Sequence, residues 1–248
     1  YNNILKFENI KDKIVYKLIH KESNLELLRE IPYEEYLDLA VVFYILLDHT
    51  GFGPATILIR SEHMLRWNVT KEEISRLAKE NTPKLLPMDL GILADTMYVV
   101  TNQTRNLGAA VMLYPDTWEK VAALIGEDFY ILPSSIHELI VVPESIGMNR
   151  LQLENMVEEI NQTEVEQEEI LSNTVYRYIR KEKREGDGHH FPHNATGRSV
   201  SERISQLFRQ FYLALCHILF YFKFLSISLL MRSTVRPVRP PSGSVLRQ

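Results

Sequence analysis

Glycine is scarce in this chain and badly spaced for phosphate chemistry: its ten glycines never fall as GxGxxG or GxxxxGK. HExxH, CxxC and GxSxG are also missing. These gaps argue against the common nucleotide-binding, zinc and serine-hydrolase classes and leave room only for an unusual enzyme. A single cysteine, Cys216, excludes an intramolecular disulfide and fits a reducing compartment. No basic start followed by an apolar run opens the chain at Tyr1, so no signal peptide is visible, and the absent methionine reads as a missing true N-terminus. Repeats of about 20–50 residues and low-complexity tracts are absent too.

What is present is ordinary for a folded chain: 45% hydrophobic and 24% charged residues over 248 positions, which excludes wholesale disorder. The net charge of −4 hides a split. Residues 195–248 hold eight basic side chains, seven of them Arg, against one acid, Glu202, for +7; the remainder holds 20 basic and 31 acidic, for −11. An acidic body of that kind repels nucleic-acid phosphates, so nucleic acid is not an expected partner for it.

Along the body, hydrophobic patterning predicts a mixed α/β order. Ile14–Ile19, Leu39–Leu47 and Ala55–Ile59 read as strands, the last two as hairpin partners across the loop Asp48–Pro54. Leu25–Ile31 is a short helical or turn segment. Thr70 and Glu73 carry a capping-box signature ahead of Ile74, Leu77 and Ala78, and Asn81 with Pro83 is expected to stop that helix. Pro87–Asp95 reads as another short helix. Tyr98–Thr101 and Gly108–Leu113 read as strands, Pro115–Gly126 as a helix, and Phe129–Leu132 and Leu139–Val142 as further strands. Leu153, Met156, Val157 and Ile160 form an apolar helical stripe, and Leu171, Val175 and Tyr178 are expected to continue it on a final helix. The fold class is therefore α+β: a mostly antiparallel mixed sheet with helices packed on it, over residues 1–185.

Beyond the body come a Gly/Pro/Asn-rich linker, 186–198, and a basic hydrophobic tail, 199–248. In the tail, Phe211–Met231 is a 21-residue apolar run carrying His217 and Lys223. Its twelve Leu, Ile and Phe residues favour membrane insertion by roughly 4–7 kcal/mol, against about 3 kcal/mol for a central Lys, so insertion is marginal. Membrane association could come only through this run. The rival reading is a frameshifted or fused extension, because Lys and Glu nearly vanish at about residue 195 in favour of Arg, Ser and Phe.

The densest polar cluster of the body is Pro133-Ser134-Ser135-Ile136-His137-Glu138, between two strands. Ser134 or Ser135, His137 and Glu138 supply nucleophile, base and carboxylate types, but adjacent His and Glu on an extended chain point to opposite faces. Turn-forming serines are the commoner explanation. Asn102 and Arg105, in the loop Thr101–Asn106, could bind a small polar or anionic ligand. His189, His190 and His193, with Asp187, have metal-ligand chemistry but lie in the linker, where ordering them costs entropy. His20, His49 and His63 have no partner at ligand spacing. No cofactor is expected.

The segments LDLAVVFYILL (37–47), ATILI (55–59), NTPKLLP (81–87), YVVTN (98–102), LGAAVMLYP (107–115) and DFYILPSSIHELIVVP (128–143) together resemble the bacterial domain-of-unknown-function family 5688 of gut Firmicutes, over about residues 10–180. The resemblance implies a cytoplasmic bacterial protein with a single α+β domain and no established activity. It also implies an N-terminal truncation, since that family begins further upstream, and it does not extend to the tail. On these grounds a non-catalytic binding or regulatory domain is the leading expectation. A hydrolase using the Ser-Ser-Ile-His-Glu connector and a tail-anchored protein are the alternatives.

Overall fold

A computed structural model describes residues 6–50, 53–94 and 97–180. The linker histidines His189, His190 and His193 and the apolar run 211–231 lie outside the described residues.

The first half is built on the apolar run that begins at Leu39. A run this rich in Val, Ile and aromatics pays little to adopt an extended backbone and buries both its faces. It forms β3 (Leu39–Thr50), preceded by a short helix α1 (Phe7–Ile10), β1 (Ile14–His20), a one-turn helix α2 (Leu25–Leu28) and β2 (Tyr33–Tyr36), and followed by β4 (Gly53–Leu58). All pairings are antiparallel. β1 lies along one edge of β3, from Ile14↔Ile45 to His20↔Leu39. On the other edge β2 and then β4 pair with successive stretches of β3. Alternation sorts the side chains: Leu39, Val41, Phe43 and Ile45 enter the main core, whereas Ala40 and Val42 join a smaller cluster with Ile19, Leu28 and Ile31.

Two helices follow, α3 (Ser61–Trp67) and α4 (Lys71–Leu85). Thr70 caps α4, its Oγ1 accepting from the Glu73 amide at 3.3 Å. The expected stop at Asn81–Pro83 is corrected: α4 runs through Pro83 to Leu85. A proline in the last turn forfeits only one intrahelical bond, and the neighbouring residues more than offset it. Thr82 Oγ1 donates to the Ala78 carbonyl at 2.6 Å and accepts from the Tyr16 amide at 3.1 Å. Asn81 donates to the carbonyls of Lys11 and Ile14. The polar triplet read as a breaker is thus the clasp between α4 and β1.

The second half forms a sheet of order β5-β6-β8-β7-β9, antiparallel throughout. Its strands are β5 (Met88–Ala94), β6 (Met97–Asn102), β7 (Phe129–Leu132), β8 (Leu139–Pro143) and β9 (Tyr176–Tyr178), with helices α5 (Thr117–Ile125) and α6 (Arg150–Thr163) between them. Gly126 ends α5 in the left-handed region at φ +85°, as a C-terminal glycine does. Phe129, Ile131, Leu139 and Val141 face the core shared with β1 and β3. Tyr130, Leu132, Ile140 and Val142 face α6, whose predicted stripe of Leu153, Met156, Val157 and Ile160 is buried there. The α+β class with antiparallel sheets holds; the strands divide between two sheets.

Three further expectations are corrected. The segment expected as a helix from Pro87 instead holds the strand β5, Met88–Ala94, on which Met88 and Leu90, two residues apart, pack on the main core. Gly108–Leu113 is a 3₁₀ segment instead of a strand, with Ala109, Ala110 and Val111 at 0% exposure between the sheets; an apolar run surrounded on all sides carries no periodicity to read. Among the described residues, 171–180 form no helix. Val175 joins the cluster under α6 while Tyr176 faces the main core, and Tyr178 stacks on its register partner Phe129 with ring centroids 4.8 Å apart. A spacing that mimicked a helical turn belonged to a strand.

Gly108 fixes how close the 3₁₀ segment comes to the second sheet. A Cβ there would stand 2.0 Å from Thr101 Oγ1 and 2.4 Å from the His137 carbonyl oxygen, atoms already bonded to each other at 2.7 Å. Gly108→Ala is therefore expected to cost at least about 3 kcal/mol in urea unfolding, at the upper end of overpacking effects.

Candidate functional site

A cavity of about 550 Å³ opens where the two halves meet. One wall is the end of β1 with the turn after it, His20 and Ser23, together with Asp38 from the β2–β3 turn. The opposite wall is the C-terminal end of α6 and the segment leading to β9, including Asn161, Ser172, Asn173 and Thr174. Tyr36 pairs with Leu39, so the turn Leu37–Asp38 has two residues, and Leu37 takes a left-handed φ of 55°. That tight turn aims Asp38 across the gap. Its carboxylate accepts from Ser172 Oγ at 2.5 Å and from the Tyr176 hydroxyl. Burial, and then the bond to Asp38, push the Tyr176 phenol well above its ordinary range, so it remains a donor.

Asn161 organises the second wall. It follows Val157 by four residues, so it falls on the buried face of α6. Its Nδ2 donates to the Ser172 carbonyl at 3.2 Å and to Asn173 Oδ1 at 2.7 Å, and its Oδ1 accepts from Ser134 at 2.6 Å. On the first wall His20 Nδ1 lies 2.7 Å from Ser23 Oγ and accepts from the Ser23 amide. The cleft is rich in amides and hydroxyls that both donate and accept, with Asp38 as its anchored anion.

Of the residues singled out from sequence, His20 lines this cleft, whereas Ser134, Ser135, His137, Glu138, Asn102 and Arg105 do not. Ser134 and Ser135 are 2% and 0% exposed. Ser134 is spent on Asn161; Ser135 Oγ accepts from the His137 amide at 3.0 Å. Backbone bonds hold the connector on both sides: Ile136 donates to the Glu169 carbonyl, Leu171 to Ser134, and Ala109 to Ile136. His137 Nδ1 accepts from the Leu107 amide at 3.1 Å, which leaves the proton of the neutral ring on Nε2, facing Glu169 Oε1 at 3.4 Å. Asn102 is fully buried and closes its own loop: Nδ2 donates to the Asn106 carbonyl, and Oδ1 accepts from Thr104 and from the Asn106 amide. Arg105 stands 3.6 Å from Asp89. His63 Nδ1 accepts from the Arg60 amide at the start of α3; the side chain of His49 lies outside the described residues. Among the described residues no group of three or more His, Cys, Asp or Glu could hold a metal ion, and no helix is long and apolar enough to cross a membrane.

Sequence reasoning missed Asp38, Ser172, Tyr176 and Asn161, and saw His20 only as isolated. A signal existed for Asn161, a polar residue on an otherwise apolar stripe. None existed for Asp38 and Ser172, which meet across 134 positions.

Fold and cleft together define an α+β domain of two antiparallel sheets with a polar crevice between its halves. A family model described as a "Family of unknown function (DUF5688)" matches residues 1–97 and 92–180, and the chain belongs to that family. No curated protein matches the chain, and no solved structure does.

Glu138, at the end of the Pro133–Glu138 connector, is 3% exposed and its Oε1 has no hydrogen-bond partner. Burial pushes its carboxyl up to about 7; the bond to Ser135 opposes this and nearby Glu169 adds to it. A raised acid pKa favours the protonated fold, so its contribution is whole below the unfolded value of about 4.5 and is lost as pH rises through about 7. Urea unfolding at pH 5 and pH 8 should therefore show Glu138→Gln removing a pH-dependent loss on the order of 3 kcal/mol.

Proposed function

We propose that this chain is a non-catalytic binding domain that receives a small polar ligand, neutral or cationic, in the cleft between Asp38 and Asn161. One observation carries the reading: a cavity of about 550 Å³, within the range of small-molecule sites, whose polar groups are already held in place by Asp38, Ser172, Tyr176 and Asn161. A lining of amide and hydroxyl side chains such as Gln167, Asn173 and Thr174 suits hydroxyl- or amide-bearing ligands. A fixed carboxylate favours an amine over an anion. In this reading the domain works in the cytoplasm, in keeping with its single cysteine.

Calorimetric titration with panels of free amino acids, dipeptides and monosaccharides tests it. A member of one panel should bind the wild-type chain, and Thr174→Val, an isosteric change that removes one lining hydroxyl, should weaken that binding about tenfold with the unfolding midpoint little changed. Failure of all three panels, or undiminished binding by the variant, would overturn the assignment.

A second reading, hydrolysis, draws support from the Ser23–His20 contact at the cleft. Hydrolysis through Ser134 or Ser135 instead would require buried, already bonded hydroxyls to reach substrate. An ester such as p-nitrophenyl acetate separates the readings: turnover by the wild-type chain that Ser23→Ala abolishes would establish the enzyme, and turnover unaffected by that change would exclude the dyad.

A further inference from the structure

A second, smaller cavity of about 150 Å³ lies against the face of the first sheet that carries Ile19 and Val42, with His20 and Ile170 common to both cavities. Half of its lining is aliphatic, Ile19, Leu27, Val42, Leu58, Ile136 and Ile170, and Asn24, Tyr44 and Thr56 add polar groups. Beside the aliphatic part the sequence places Lys17, two residues from Ile19 on the same face of β1 and in register with the fully buried Val42. Lys17 makes no ion pair with a described residue. Glu168 also lines the cavity, but it is exposed and forms no salt bridge with the amine. Burial alone lowers the Lys17 amine below its ordinary range, the mark of a cation that has lost water without gaining a counter-charge.

A partly buried cation left unpaired beside an aliphatic hollow is costly, and neither a hydrophobic nor an anionic ligand alone would match both features. We propose that this cavity is a binding site for a short aliphatic carboxylate. The carboxylate head pairs with Lys17, and an alkyl chain fills the space against Val42 and Leu58. The volume equals that of about five waters, which limits the occupant to roughly five or six heavy atoms. The proposal does not rest on what the cleft binds, although His20 and Ile170 line both cavities.

Butanoate is the matching probe, with butanamide as its uncharged isostere, octanoate as a chain too long for the cavity, and inorganic phosphate as an anion without a tail. Titration calorimetry on the full chain should show butanoate binding at least about tenfold more tightly than each of the other three. Lys17→Met, which keeps the aliphatic stem and removes the charge, should reduce butanoate binding by about the same factor, with the unliganded unfolding midpoint kept or raised. The Lys17 side-chain NMR resonance of the wild-type chain gives a readout that needs no variant, and it should shift on saturation with butanoate. Equal affinity for butanoate and butanamide, phosphate binding in preference to butanoate, full binding by Lys17→Met, or a Lys17 resonance unmoved at millimolar butanoate would each overturn the site.

Discussion

The Asp38 carboxylate is the contact on which the relation of the two halves depends most. It leaves the first sheet on a two-residue turn and accepts hydroxyl donors from Ser172 and Tyr176 of the second half. Charge-assisted bonds of this kind are stronger than neutral ones and more directional than the apolar packing around them. Hydrophobic burial between the sheets supplies most of the driving force, yet it does not dictate where one sheet stops sliding over the other. Asp38 does, and it thereby sets the width of the cleft. The left-handed Leu37 beside it is consistent with this role, since a non-glycine residue holds that conformation only where its surroundings over-determine it.

The same logic of polar pins within an apolar frame recurs through the fold. Thr82 and Asn81 fasten α4 to β1, and Asn161 fastens α6 to the segment before β9. The Thr101 hydroxyl meets the His137 carbonyl at the one place where only glycine fits beside them. In each case a buried polar side chain satisfies backbone groups that no sheet or helix ladder reaches, so its removal would leave orphaned donors or acceptors. Glu138 and Lys17 depart from this pattern. One keeps a carboxyl oxygen buried without a partner, and the other keeps a cation without a counter-charge. Departures of this kind mark positions where something other than stability has shaped the sequence.

Local elements were legible in the sequence wherever one period dominated. The strand from Leu39, the capped helix after Thr70 and the stripe on α6 all express a single pattern strongly. The misreadings share a cause: at Pro87–Asp95, at Gly108–Leu113 and at Leu171–Tyr178 the periodicity is short or surrounded, and partners distant in sequence decide the conformation. Met88 and Leu90 are strand residues because β6 stands beside them. Tyr178 is a strand residue because Phe129 offers a ring to stack on. The polar connector after Pro133 was rightly visible as unusual. Its purpose was not visible, because Asn161 and Glu169 come to it from elsewhere in the chain.

Those distant meetings also explain why the cleft escaped notice while the connector did not. A catalytic motif concentrates its residues because a strand-to-helix turn or a single helix face must present them together. A binding crevice at the junction of two halves needs no such concentration, since each wall contributes a few side chains and the fold performs the convergence. Asp38 contributes from a turn, Asn161 from a helix and Ser172 from a connecting segment, each unremarkable where it stands in sequence. The absence of a local motif therefore weighs against the common enzyme classes and has no bearing on ligand binding. The proposed binding function rests on that convergence, a preorganised polar cleft assembled from residues far apart in sequence.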